Sequence, residues 1–316
     1  VYTRQRSLIR RIIGDKLSDE VRVIGKFGRV PNDPSKPRLF LGPQHLKATP
    51  PDAVNFYSSI GGGGMLGNDQ YGDCVFAANG HIVEQQTALG QGKEVPVTTQ
   101  QALAEYSKVT GFDPNDPSTD NGAMVQDGLN DLRKSGLAGH KIAAFAEISV
   151  SDMNTVKNAV AEFGVVDIGF NVPASAMNQF NAGQPWDVVS HDGGIEGGHC
   201  VIVCGYDSKY LYVYTWNAVQ KMTYAFWNKY VEEAWAPISQ DWVNASTGLD
   251  PDKVDMSDLG AQFVALFPGQ PNPFPNPSPV PPTPPPNPTP PPGPVPPTPK
   301  PSWWDEFIQW LTHLFD

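Results

Sequence analysis

The sequence predicts an α+β protein whose helices precede its strands, and three observations carry that prediction. Between residues 74 and 163 apolar positions recur at helical spacing, whereas after residue 164 they gather into short runs rich in β-branched and aromatic residues. The two halves do not alternate strand with helix, which argues against a parallel βα sheet. Of the 33 prolines, 20 fall between Pro268 and Pro301, so the packed body is confined to at most about 265 residues ahead of them.

Taken in order, residues 7–15 have the spacing of a short basic helix. Pro31, Pro34, Pro37, Pro43, Pro50 and Pro51 then impose an extended lead-in, so residues 1–60 read as an N-terminal arm and 61–267 as the folded domain. Four glycines at 61–64 lack the Lys-Ser or Lys-Thr of a phosphate-binding loop and read as a tight loop. Val75, Phe76, Ile82, Val83 and Leu89 predict a helix stopped at Gly90, with Cys74 in its first turn. Further helices are expected at 99–109, 123–135 and 152–163, the last from Met153, Val156, Val160 and Phe163. Strands are expected at 165–170, 201–204 and 211–215.

Residues 268–301 carry one charge, Lys300, and read as a polyproline spacer that at ~3.1 Å per residue reaches roughly 100 Å. Beyond it, residues 302–316 predict an amphipathic helix capped by Ser302, with Asp305 and Glu306 in its first turn. Its apolar face comprises Trp303, Trp304, Phe307, Ile308, Trp310, Leu311, Leu314 and Phe315. Such a face calls for a protein partner or self-association. The absence of Lys and Arg argues against an anionic membrane surface.

The formal net charge of −11 hides an asymmetry: the first thirty residues sum to +5, leaving −16 for the rest. An acidic body of this kind repels nucleic acid, so no nucleic-acid partner is expected. Three cysteines do not make a disulfide framework, and a reducing compartment is the simpler reading. No signal-like segment opens the sequence and no apolar run approaches the ~18 residues of a membrane span, so a soluble protein is expected.

Two residues carry a chemical signal. A cysteine in the first turn of a helix meets the positive end of the macrodipole, which favours thiolate. A histidine on a strand among small residues, as in Gly197-Gly198-His199 followed by Val201, Ile202 and Val203, is placed to accept and return a proton. No cofactor is indicated. Metal binding by His199, Cys200 and Cys204 is not expected, because neighbouring strand residues face opposite sides. Asp113, Asp116, Asp120 and Asp127 lack calcium-loop spacing, and His191, Asp192 and Glu196 read as solvated loop charges.

The segment Asn-Asp-Gln-Tyr-Gly-Asp-Cys-Val-Phe-Ala-Ala, ending at Ala78, resembles the nucleophile segment of papain-like cysteine peptidases. Gly-His-Cys-Val-Ile-Val-Cys-Gly-Tyr-Asp, beginning at Gly198, resembles that family's histidine strand, and residues 122–136 and 156–170 resemble the intervening elements. The resemblance covers roughly residues 66–236. It implies a helical subdomain carrying Cys74, an antiparallel subdomain carrying His199, and hydrolysis of a peptide or protein substrate. It further implies Cys74 as nucleophile, His199 as general base and Asn68 as oxyanion donor, with Gln70 the second choice. Similar sequences imply a bacterial or phage-type member, in the bacterial cytoplasm or a virion.

Two departures stand out. Asp73 adds a negative charge beside the thiol unless it turns away to cap the helix. The family's Asn-Ser-Trp-Gly motif is replaced by Tyr-Thr-Trp-Asn, leaving Thr215 or Asn217 to orient the imidazole. The same residues therefore admit three functions: a thiol peptidase or amidase, an acyl transferase, or a weak or inactive domain serving binding or assembly, as in a phage particle. Deleting residues 303–316 should abolish partner capture or self-association while leaving thiol alkylation unchanged, as sedimentation, pull-down and labelling rates would register.

Overall fold

The computed structural model describes residues 25–45, 49–59, 61–239, 260–262, 264–265, 268–269 and 271–272. The chain divides into two compact units, Val1–Asn276 and Pro277–Asp316, and every described residue belongs to the first. The helix expected at 7–15, the spacer beyond residue 272 and the terminal helix at 302–316 lie outside the described residues.

Three short strands come first: β1 (Arg29–Val30), β2 (Leu39–Leu41) and β3 (Val54–Asn55). Helices α1 (Cys74–Gln91) and α2 (Thr99–Thr110), strand β4 (Ala123–Met124), helix α3 (Val125–Lys134), strand β5 (Ile142–Ile148) and helix α4 (Met153–Phe163) follow. The remainder is β6 (Val166–Pro173), α5 (Ala174–Asn181), β7 (Ile195–Tyr206), β8 (Tyr210–Thr215), β9 (Ala218–Thr223), α6 (Tyr224–Tyr230) and β10 (Val231–Ser239). The main sheet runs β2-β5-β10-β6-β7-β8-β9, with β3 also on β7; β2 and β5 pair in parallel, and the other neighbours are antiparallel.

Strand β7 divides two cores. Cys200, Ile202 and Cys204 face the core built with α1, α2 and α3, while Val201 and Val203 face the core that holds α4, Trp186 and Phe226. Helix α1 is buried on nearly every side, including its polar residues Asn79, His81, Glu84, Gln85 and Gln86. These act as staples: Gln86 Nε2 donates to the carbonyls of Phe163 and Pro237, Gln85 Nε2 to Phe56 O, and Glu84 Oε1 accepts from Val97 N–H. A helix with no solvent face has no clear apolar stripe, which is why its pattern is weak in sequence.

Several expectations are corrected. Helix α1 runs past Gly90 to Gln91 and is capped by Gly92, whose φ of 66° supplies the left-handed turn. The helix expected at 123–135 begins at Val125, because Ala123 and Met124 pair in parallel with Arg29 and Val30. The local sequence holds no sign of that distant partner. Strand β5 has no alternation because both its faces are covered, and β10 carries Pro237. That proline lies beyond the stretch paired with β6, so its missing N–H removes no bond on that side.

Close packing of α3 on α1 depends on Gly128, where an added Cβ would lie 2.5 Å from Val75 Cγ1. Gly128→Val should overpack this contact and destabilise the domain by about 1–3 kcal/mol, measured by urea unfolding.

Candidate active site

Cys74 is the first residue of α1 and 1% exposed. Burial pushes the thiol up to about 12, offset only in part by the backbone of Cys200 and Gly28. Desolvation here outweighs the helix dipole that favours thiolate in an open site. Asp73 occupies the N-cap position but makes no capping bond. Burial holds its carboxyl well above the ordinary carboxylate range, which favours the uncharged acid. The expected alternative, a capping carboxylate turned away from the thiol, is therefore not found.

His199 lies on β7 opposite Phe170 of β6. Its Nε2 is 2.7 Å from Thr215 Oγ1, while Nδ1 is buried with no hydrogen-bond partner among the described residues. Trp216 stacks on the ring at a centroid distance of 4.5 Å and 19° between planes, and Phe27 and Phe170 meet it edge-on. Burial lowers the imidazole to about 3. Cys74 and His199 line the same cavity of about 10 Å³, room for about one water. With Nε2 donating to Thr215, Nδ1 keeps its lone pair.

The turn that builds this arrangement is two residues long. Thr215 pairs with Ala218, leaving Trp216 and Asn217 between them with φ of 46° and 58°. Such a turn matches the strand twist of a hairpin, but left-handed backbone at a tryptophan is strained. The strain sets the indole over the imidazole. Of the two residues considered for orienting His199, Thr215 touches the ring, whereas Asn217 Oδ1 accepts from Gly64 N–H and lies 3.2 Å from the Tyr214 hydroxyl.

Asn68 lines the same cavity, and its amide is engaged there: Oδ1 accepts from Trp216 Nε1 at 2.8 Å and Nδ2 donates to Tyr71 O at 3.1 Å. Gln70 is exposed. His81, seven residues along α1 from Cys74, also lines the cavity and bonds Glu84. The i, i+7 spacing was the available signal for it. Asp192 is not simply a solvated loop charge, since it accepts from Tyr230, the Gly194 N–H and Lys229, which hold it near 2. Among the described residues there is no group of three or more His, Cys, Asp or Glu that could hold a metal.

Sequence reasoning missed the segment that covers the thiol. Residues 25–30 cross the site as an extended strap: Lys26 N–H donates to Asn68 O, Gly28 N–H to Gly198 O, and Ala123 N–H to Gly28 O. The fit is backbone against backbone. A Cβ on Gly28 would lie 1.7 Å from Gly72 O, one on Gly122 1.9 Å from Gly28 O, and one on Gly198 2.3 Å from Arg29 O. The next side chain of the strap, Arg29, is held by Glu232 and Glu233, each at 2.6 Å. Nearby, Cys200 Sγ donates to Asp167 Oδ1 at 3.1 Å, and burial pushes Asp167 up to about 8.

A helix that opens on a buried cysteine, set against an antiparallel sheet that presents a histidine, is the papain-like α+β fold. Solved structures agree. The chain is similar to xylellain, a cysteine protease from Xylella fastidiosa, with a TM-score of 0.51 and 16% identity over 69% of this chain and 98% of that one. It is also similar to procathepsin B S9 from Trypanosoma congolense, with a TM-score of 0.50 and 11% identity over 68% of this chain and 86% of that one. The cysteine protease and lectin-like domains of Cwp84 from Clostridium difficile match with a TM-score of 0.50 and 12% identity, over 72% of this chain and 58% of that one. At these identities the likeness shows the fold. No family model matches the sequence, and no curated protein does so either.

Asp167 generates a pH test. Its folded-state value of about 8 exceeds the ordinary 3.8, so the folded chain keeps a proton that the unfolded chain releases across that window. Stability from this group is lost as pH rises through it. Asp167→Asn has no such proton, so its stability relative to the parent should increase from pH 5 to pH 8, read from urea midpoints.

Proposed function

We propose that the chain is a thiol hydrolase of peptide or other amide bonds, held closed by its own residues 25–30. The observation that carries this reading is the His199 ring, fixed by Thr215 and Trp216 with Nδ1 unpartnered in the cavity it shares with Cys74. That is the arrangement a general base needs beside a nucleophile. Cys74 Sγ attacks the carbonyl carbon, its proton passes to His199 Nδ1, and the imidazolium returns it to the leaving amine as the C–N bond breaks. Water, deprotonated by His199, then attacks the acyl-thioester, releasing the acid and restoring the thiol. The Cys74 backbone N–H at the start of α1 is one donor for the oxyanion. Asn68 is the second once its amide leaves Tyr71 O.

In the closed state the pair is neutral, because burial raises the thiol to about 12 and lowers the imidazole to about 3. Displacing the strap admits water and removes the desolvation that separates the two values. A second reading, a papain-like domain used for binding or assembly, is favoured by the complete burial of the thiol and by threonine where an amide was expected. Acyl transfer would use the same groups. Placement in a bacterial cell or phage particle, and tethering through the proline-rich spacer, belong to the proposal and rest on the sequence. Among the described residues no helix is long and apolar enough to cross a membrane.

Arg29→Gln removes the guanidinium that anchors the strap. Alkylation of Cys74 by iodoacetamide near neutral pH, followed by mass spectrometry, should then accelerate by roughly tenfold or more. Adding His199→Ala to that background should return the rate to that of an ordinary unfolded thiol. If neither substitution alters the rate, the hydrolase reading is wrong and the binding reading stands.

A further inference from the structure

The strap does more than cover the thiol, because its arginine fills a socket made by the body of the domain. Arg29 Nε lies 2.6 Å from Glu233 Oε1, and its terminal NH1 lies 2.6 Å from Glu232 Oε2. The side chains of Arg29 and Glu233 are each 2% exposed. Gly169 of β6 leaves the space for them: a Cβ there would stand 2.7 Å from Arg29 Nε and 2.6 Å from Glu233 Oε1. Asp167, two residues back and so on the same face of β6, is fully buried with Oδ2 unpartnered. Two carboxylates of β10 thus grip the guanidinium, and the Asp167 carboxyl lies on the same face of β6.

Any group reacting at Cys74 has to displace residues 27–30, and Arg29 leaves the socket with them. Glu233 then loses its guanidinium and keeps the Trp235 indole N–H at its other oxygen, with its carboxylate facing the vacated space. A buried carboxylate stripped of its partner is strongly unfavourable. An incoming arginine restores a charge-assisted, planar contact, whereas lysine restores a point charge and leucine restores nothing. If Arg29 served closure alone, an apolar side chain would do as well, since a buried ion pair adds little net stability over apolar packing. What the carboxylates add is discrimination between ligands.

We propose that this socket is an arginine-selecting subsite: ligands of the cleft are peptides that place an arginine side chain on the residue next to the one lying over Cys74. The word substrate for these peptides rests on the hydrolase reading, while the socket itself rests on the contacts of Arg29.

The test uses the full-length chain carrying Arg29→Ala, which empties the socket. Calorimetric titration with glycyl-arginine amide, glycyl-lysine amide and glycyl-leucine amide should rank arginine tightest, about tenfold or more over leucine, with lysine between. Adding Glu233→Gln should erase that ranking. Equal binding of the arginine and leucine compounds, or a ranking unmoved by Glu233→Gln, would overturn the proposal. If Arg29→Ala does not fold, Arg29→Lys keeps the charge, and the same compounds are ranked by the acceleration of Cys74 alkylation they cause. Cleavage of matched arginine and leucine peptides separates the two readings. Arginine-selective binding without cleavage supports the socket and removes the hydrolase, and cleavage indifferent to arginine does the reverse.

Discussion

Contact between the first turn of α1 and the middle of β7 is the constraint on which the rest of the molecule depends. It packs Cys74 and Cys200 into one buried core and thereby fixes the thiol beside the strand that carries His199. Because α1 is enclosed on nearly all sides, its polar residues must find partners inside the protein, and they do so by bonding distant carbonyls such as those of Phe163 and Pro237. Each bond ties a different part of the sheet to the same helix. A shift of α1 along its axis would break several of them together, so the position of the thiol is held by the whole core.

The histidine is fixed by a different device. Packing of aromatic rings around His199 excludes water, and the tight turn at Trp216 and Asn217 sets an indole flat against the imidazole. The indole is braced in turn by Asn68, which sits six residues ahead of Cys74. A polar side chain of the helical half therefore positions an aromatic of the sheet half. Threonine can stand beside the ring here because Trp216 and Asn68 already restrict its tilt.

Closure by the strap and the electrostatics of the site are one phenomenon. The glycines near Cys74 and His199 leave a slot only as wide as a backbone, and the strap fills it with main chain. Filling the slot removes water from Cys74 and His199, and each group responds by favouring its uncharged form. The same desolvation drives Asp167 toward its neutral acid beside Cys200. The buried ionic contacts of Arg29 offset part of that cost at the next position along the chain.

Helix and strand types in the central body were legible because burial on one face leaves a period, as in α4 with Met153, Val156, Val160 and Phe163. Cys74 and His199 stood out as candidates because each sits in a local context that thiol chemistry would require. The pattern failed where both faces are buried, as in β5, and where the partner is remote, as for Ala123 and Met124 against the N-terminal strand. Sequence by itself therefore placed the helices at 74–91, 99–110 and 153–163 and the central parts of β6, β7 and β8, and singled out Cys74 and His199 as candidates, since these follow from local periodicity and residue type. Tertiary structure alone decided that Thr215 rather than Asn217 meets the imidazole, that Arg29 enters a socket of carboxylates, and that residues 25–30 lie over the thiol. Each of those depends on contacts between segments far apart in the chain, whose geometry no local pattern encodes.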